Sequence, residues 1–221
     1  MWRRLSRSVR RLVRRLRPMT LTPRAIREYD ERAPEPEETE TATFGLGCFW
    51  GPDASFGALD GVVRTRAGYA GGTKTDPTYH SLGDHTEVVQ VAFDPGLIEY
   101  AELVERAFSQ HDPNSQPRKA QYQNVVLTET RAQGAALTEF LRERGLEPDA
   151  IGTRIEQLSR FYPAEAYHQK YRLRSRAELM DAFDDAGYDD EAVRESPAAA
   201  KLNGYVAGSG SGVAAKLLTA E

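Results

Sequence analysis

A single cysteine, Cys48, stands in this chain of 221 residues, so no disulfide can close within it. A chain without such crosslinks fits a reducing compartment, and the cytoplasm is the expected one. Long hydrophobic runs are also lacking: nothing approaches the roughly 20 consecutive apolar residues of a bilayer span. The first residues contain no apolar core of a secretory signal. Histidine is sparse, at His80, His85, His111 and His168. With one cysteine and no closely spaced Cys–Cys or His–His pair these make a poor zinc set, so no metal is expected. Lysine is scarce as well (Lys74, Lys119, Lys170, Lys201 and Lys216), and no internal repeat is found.

What is present is globular in composition: 40% hydrophobic and 28% charged residues, enough for one domain with a sizeable core. The net charge of −4 conceals an asymmetry. Residues 1–18 carry eight arginines and no acid, which leaves 21 bases against 33 acids, or −12, in the remainder. So acidic a body excludes nucleic acid as the expected partner, since phosphate binding needs a basic surface.

In residues 1–18, Trp2, Leu5, Val9, Leu12, Val13 and Leu16 recur at helical spacing beside the arginines. Three readings of this segment stay open: a membrane-surface anchor, a transit peptide, or upstream sequence translated in error with Met19 as the true start. Membrane contact is expected only if the segment belongs to the native protein. Residues 19–41 read as a leader, with the acidic, proline-rich 31–41 stretch an extended linker without packing of its own. Residues 42–221 are expected to be a single domain.

Within that domain the pattern predicts strands at 41–47, 62–70, 86–93, 121–127 and 151–158. Helices are predicted at 50–59, about 97–108, 129–144, 164–173 and within 176–186, before a tail rich in glycine, serine and alanine. The order from Ala42 to Leu127 is β-α-β-β-α-β. It predicts an α+β fold with a ferredoxin-like core, a two-layer sandwich with helices on one face of an antiparallel sheet, extended by C-terminal helices and a glycine-rich tail. Such a fold hosts many functions.

The stretch Gly45-Leu46-Gly47-Cys48-Phe49-Trp50-Gly51 joins the first strand to the first helix of that core. A thiol at a helix N-terminus faces unpaired N–H groups that stabilise the thiolate, so a lowered pKa is expected. Phe49 and Trp50 could wall an apolar pocket or simply pack in the core. Taken alone, Cys48 could equally be a small buried hydrophobe, Glu87 the solvent-facing charge of its strand, and Tyr79 and Tyr122 ordinary tyrosines.

Gly47–Gly51 (GCFWG) resembles the signature of the A-type peptide methionine sulfoxide reductases. Arg66–Gly72 (RAGYAGG), Asp76–Tyr79 (DPTY), Gly83–Phe93 (GDHTEVVQVAF), His111-Asp112-Pro113, Gln121-Tyr122, Phe161–Tyr171 (FYPAEAYHQKY) and Ser196–Gly208 (SPAAAKLNGYVAG) resemble that family in order and spacing. The resemblance implies an oxidoreductase that returns methionine S-sulfoxide, protein-bound and free, to methionine as a repair of oxidative damage. It implies Cys48 as nucleophile, Glu87 as proton donor, Tyr79 and Tyr122 as hydrogen-bonding partners of the sulfoxide oxygen, and Phe49 and Trp50 around the S-methyl group. It implies no bound cofactor, a Cys48 sulfenic acid as intermediate, and a monomeric protein. Two rivals are a Cys–His acyl-transfer enzyme with His85 or His168 as base and a binding module with no reactive cysteine.

Two features depart from the family pattern. Many members carry an aspartate in a longer loop after His-Asp-Pro; here Asn114–Ala120 is short, and Pro117 stands nearest that place. Many members also have a resolving cysteine after the C-terminal Gly-Tyr, where this chain has Val206. The sulfenic acid must then be reduced by an outside thiol such as thioredoxin, a glutaredoxin-like protein or a small thiol.

Overall fold

The computed structural model describes residues 21–210 and 212–219. The amphipathic reading of residues 1–18 lies outside them. Strands β1 (Glu40–Leu46), β2 (Val62–Ala70), β3 (Thr86–Phe93) and β4 (Asn124–Thr128) form the middle of a six-stranded sheet in the order β5-β4-β1-β3-β2-β6. These four pair antiparallel throughout, as β4-β1-β3-β2. Two short strands widen the sheet: β5 (Arg154–Gln157) runs parallel to β4, and β6 (Tyr162–Pro163) antiparallel to β2.

Alternation along the strands sends Ala42 and Phe44, Val89, Val91 and Phe93, and Val126 to one face. There they meet Phe56 of α2 (Trp50–Gly57), Leu103 and Val104 of α3 (Tyr100–Phe108), and Leu137 and Phe140 of α4 (Arg131–Glu143). The other face buries Ala70, Val88, Val125 and Leu127 beneath Leu158 and Phe161. The result is a mixed α+β domain with an open sheet.

A second core lies beyond the sheet. It joins Leu21 and Ile26, in and before α1 (Pro23–Asp30), to Leu173, Phe183, Val193, Leu202 and Leu217. These come from α5 (Tyr171–Arg174), α6 (Ala177–Asp185), α7 (Asp190–Glu195), α8 (Pro197–Val206) and α9 (Gly212–Leu217). The leading edge expected near Ala42 is therefore corrected: Thr22 caps α1 through Ala25 N at 3.1 Å, and the helix docks on C-terminal elements. The 31–41 linker holds one short turn at Pro36–Glu38 before β1 starts at Glu40.

One other expectation is corrected. Residues 164–173 are not one helix: Lys170 takes a left-handed backbone (φ 52) that separates a short 3-10 turn at Ala166–His168 from α5. Beyond Leu202, Asn203 and Gly204 are buried in α8. Helix α8 crosses α2 so closely that a Cβ on Gly57 would lie 2.5 Å from Ala200 O, and one on Gly204 2.7 Å from Ala54 O. Gly57→Ala is therefore expected to cost about 1–3 kcal/mol through overpacking against backbone, read as a lower urea midpoint.

Candidate active site

The sequence from Leu46 to Trp50 puts a sulfur at the surface. Strand β1 ends at Leu46, Gly47 turns the chain with φ 74, and Cys48 is exposed just ahead of Phe49, the N-cap of α2. The first N–H groups of a helix have no partner within it. Here Phe49 N–H donates to Glu87 Oε2 at 3.2 Å, and the Trp50 N–H favours the charged form of the Cys48 sulfur. The helix start thus acts on thiol and carboxyl together.

The expected lowering of the thiol pKa is corrected. Partial burial pushes the Cys48 thiol up from its ordinary value, the Trp50 N–H opposes this, the Glu87 charge adds to it, and Arg172 pulls it back. Helix position alone is outweighed by what surrounds the sulfur.

Glu87 is not a solvent-facing charge. It is 1% exposed, on β3 opposite Tyr69. Gln121 Nε2 donates to its Oε1 at 2.6 Å. Burial raises its pKa, against the stabilising Gln121 and Phe49 hydrogen bonds and the nearby Lys119 charge. A carboxyl group held protonated toward neutral pH is a proton donor. The Tyr122 hydroxyl feels both Glu87 and Tyr79. Burial, then the fields of Glu87 and Tyr79, raise the Tyr122 pKa, with Cys48 contributing less. Four of the six predicted residues therefore share one electrostatic neighbourhood.

The other two form its apolar side. Phe49 is buried against Tyr69, centroids 6.0 Å apart, and His168, 5.0 Å. Trp50 stacks on the exposed Tyr171 ring, centroids 3.6 Å apart and 3° from parallel, and its Nε1–H donates to His168 Nδ1 at 3.2 Å. His168 must then be neutral with its proton on Nε2. Burial lowers its pKa, which favours that form. Glu165 ties the wall to the Tyr79 loop, accepting from Tyr69 Oη at 2.7 Å and from Tyr79 N at 2.9 Å.

Beneath the wall lies a buried charge cluster. Asp53, in α2, is fully buried and pairs with buried Lys170 at 3.5 Å. It also accepts from Lys170 N at 3.2 Å, Asn203 Nδ2 at 3.0 Å and Thr65 Oγ1 at 2.5 Å. Asn203 Oδ1 in turn accepts Leu173 N–H at 3.0 Å. Asp53→Ala leaves the Lys170 ammonium buried and unpaired, so stability is expected to fall by about 3–5 kcal/mol, measurable by urea unfolding.

Sequence reasoning missed Gln121, Glu165, Asp53 and the indole-holding role of His168. His85 accepts Gly72 N–H at 3.2 Å. Asp112 opens a turn by accepting Asn114 N–H at 2.9 Å. The short loop without the family's aspartate is pinned by Gln116, which accepts Asn124 N–H at 2.7 Å and donates to Asn124 O and Gly152 O, both at 2.9 Å. Among the described residues no group of three or more His, Cys, Asp or Glu side chains could hold a metal. A separate cleft of about 540 Å³, lined by Tyr29, Arg32, Asp60, Leu97 and Lys201 among others, includes none of the six predicted residues.

Residues 40–197 match the family described as peptide methionine sulfoxide reductase. The chain is 42% identical over 173 residues to a peptide methionine sulfoxide reductase of Drosophila melanogaster, covering 77% of this chain and 69% of the relative. It is 45% identical over 145 residues to the enzyme MsrA of Haloquadratum walsbyi, covering 60% and 82%. Among solved structures it resembles methionine sulfoxide reductase A of Corynebacterium diphtheriae, at 31% identity and TM-score 0.56, covering 73% of this chain and 85% of that one. It also resembles reduced Mxr1 from Saccharomyces cerevisiae, at 29% identity and TM-score 0.54, covering 65% and 88%.

Proposed function

Since the chain belongs to the peptide methionine sulfoxide reductase family and is an oxidoreductase, we propose that it reduces methionine S-sulfoxide, protein-bound and free, with Cys48 as nucleophile. The observation that carries this is the start of α2, where the exposed Cys48 immediately precedes Phe49, whose N–H binds the buried Glu87 carboxyl, and the pKa of that carboxyl is raised.

The Cys48 thiolate attacks the sulfoxide sulfur. As the S–O bond weakens, Glu87 delivers a proton to the oxygen, which would otherwise leave as a poor leaving group. Tyr79 and Tyr122 hydrogen-bond that oxygen, and Phe49 with Trp50 receives the S-methyl group. Oxygen passes to Cys48, methionine departs, and a sulfenic acid remains. An outside thiol then forms a mixed disulfide with release of water, and a second thiol restores Cys48. Thioredoxin or a glutaredoxin-like protein would serve as reductant, and no bound cofactor or metal enters any step.

The same reading takes the four central strands and their crossover helices as a ferredoxin-like core. On this reading the described chain from α1 onward forms the catalytic domain of a cytoplasmic monomer that repairs oxidised proteins. No helix among the described residues is long and apolar enough to cross a bilayer. Incubation with each sulfoxide epimer and dithiothreitol tests the function. Methionine is expected from the S epimer alone; equal consumption of both epimers, or of neither, overturns it.

A further inference from the structure

Most cations of this acidic protein are engaged by its own carboxylates and carbonyls, and two that are not, Lys119 and Arg172, lie beside the Cys48 site. Of the five lysines, Lys170 and Lys201 are buried and Lys74 donates to Ser81. Most described arginines are tied to carboxylates or carbonyls, as Arg66 is to Glu195, Arg154 to Glu156 and Arg174 to Asp190. Arg118, Lys119, Arg131, Arg160, Arg172 and Lys216 have exposed side chains with no ion-pair partner among the described residues, and of these Lys119, with Arg118 next to it in the chain, and Arg172 adjoin residues of the site. Lys119 Nζ sits 4.9 Å from the centre of the Tyr122 ring, immediately before the short turn that supplies Gln121 and Tyr122. Arg172 follows Tyr171, whose ring stacks on Trp50. Its charge is felt at the Cys48 sulfur, as that of Lys119 is felt at Glu87.

We propose that Arg118, Lys119 and Arg172 form a cationic rim that selects methionine sulfoxide flanked by aspartate or glutamate in the polypeptide substrate. This rests on the function proposed above and adds a sequence preference to it. Unpaired cations on an otherwise acidic surface cost little when a carboxylate arrives, because no internal salt bridge must open. They steer an acidic segment toward the site. The exposed Tyr167 and Tyr171 rings (53% and 38% exposed) offer flat surface to the peptide between the charges.

The test compares kcat/KM for three blocked pentapeptides with central methionine S-sulfoxide, flanked by aspartate, serine or lysine. At low salt the aspartate peptide is expected to exceed the lysine peptide about tenfold, and the gap to shrink toward unity near half-molar salt, where screening is within about 4 Å. The ratio, not the absolute rate, is the readout. Arg172→Glu combined with Arg118→Glu should invert it, and Arg172→Gln with Arg118→Gln should reduce it without inversion. Equal kcat/KM for all three peptides in the parent protein overturns the rim alone, as does a preference that survives both double variants. Failure of the parent to turn over even the serine peptide overturns the sulfoxide reductase reading itself.

Discussion

Glu87→Gln is expected to lower kcat/KM for methionine S-sulfoxide by about 10²–10⁴, the range for removing a positioned general acid. Glutamine preserves shape and can still meet Gln121 and the Phe49 N–H, so the loss belongs to the proton and not to packing. The pH dependence separates the two. In the parent protein the productive form needs an ionised Cys48 and a protonated Glu87, so kcat/KM rises on an acid limb and falls on an alkaline limb. The upward shifts of both groups move this window above the one their ordinary values would give. In Glu87→Gln only the thiol requirement is left. Its rate should climb with pH and level off without an alkaline fall. A variant that keeps the full bell would show that another group supplies the proton.

Cys48→Ser is expected to abolish turnover, a loss of about 10⁴-fold or more, since removing a nucleophile disables the machinery that serves it. Serine matches the size of cysteine, so the exposed turn after Gly47 should fold unchanged. The parent protein provides the positive counterpart. One turnover without reductant should leave Cys48 one oxygen heavier by mass spectrometry, trappable by a sulfenic-acid reagent, because no second cysteine exists to condense with it. An unmodified thiol alongside released methionine would overturn the oxygen-transfer step.

Much of the sheet was legible because its signals are local. The alternating, β-branched runs Val62–Ala70 and Thr86–Phe93 match β2 and β3 residue for residue. The site was legible through the family motif more than through periodicity: in an alternating strand Glu87 looks like a surface charge, and only the fold buries it. Where reading failed, distant partners decided. Lys170 sits in a helical-looking segment, but its ammonium is drawn inward to Asp53 and to Thr65 O, with a left-handed backbone as the consequence. Helix α1 has few apolar residues of its own. Its partners, Phe183 and Leu202 among them, lie more than a hundred residues downstream. The thiol was misjudged because its position at a helix start is visible in sequence, whereas the surface covering it and the carboxyl group 39 positions later are not.

Helix α8 has a consequence for the catalytic cycle. In the family pattern the segment matching Gly204–Val206 carries a second cysteine, where this chain has valine. Here it is stapled down: Gly204 lies against Ala54, and Asn203 clamps Asp53 and Leu173 together beneath the nucleophile. The C-terminal region is therefore a fixed brace, and on the proposed cycle the approach to an oxidised Cys48 falls to the visiting thiol.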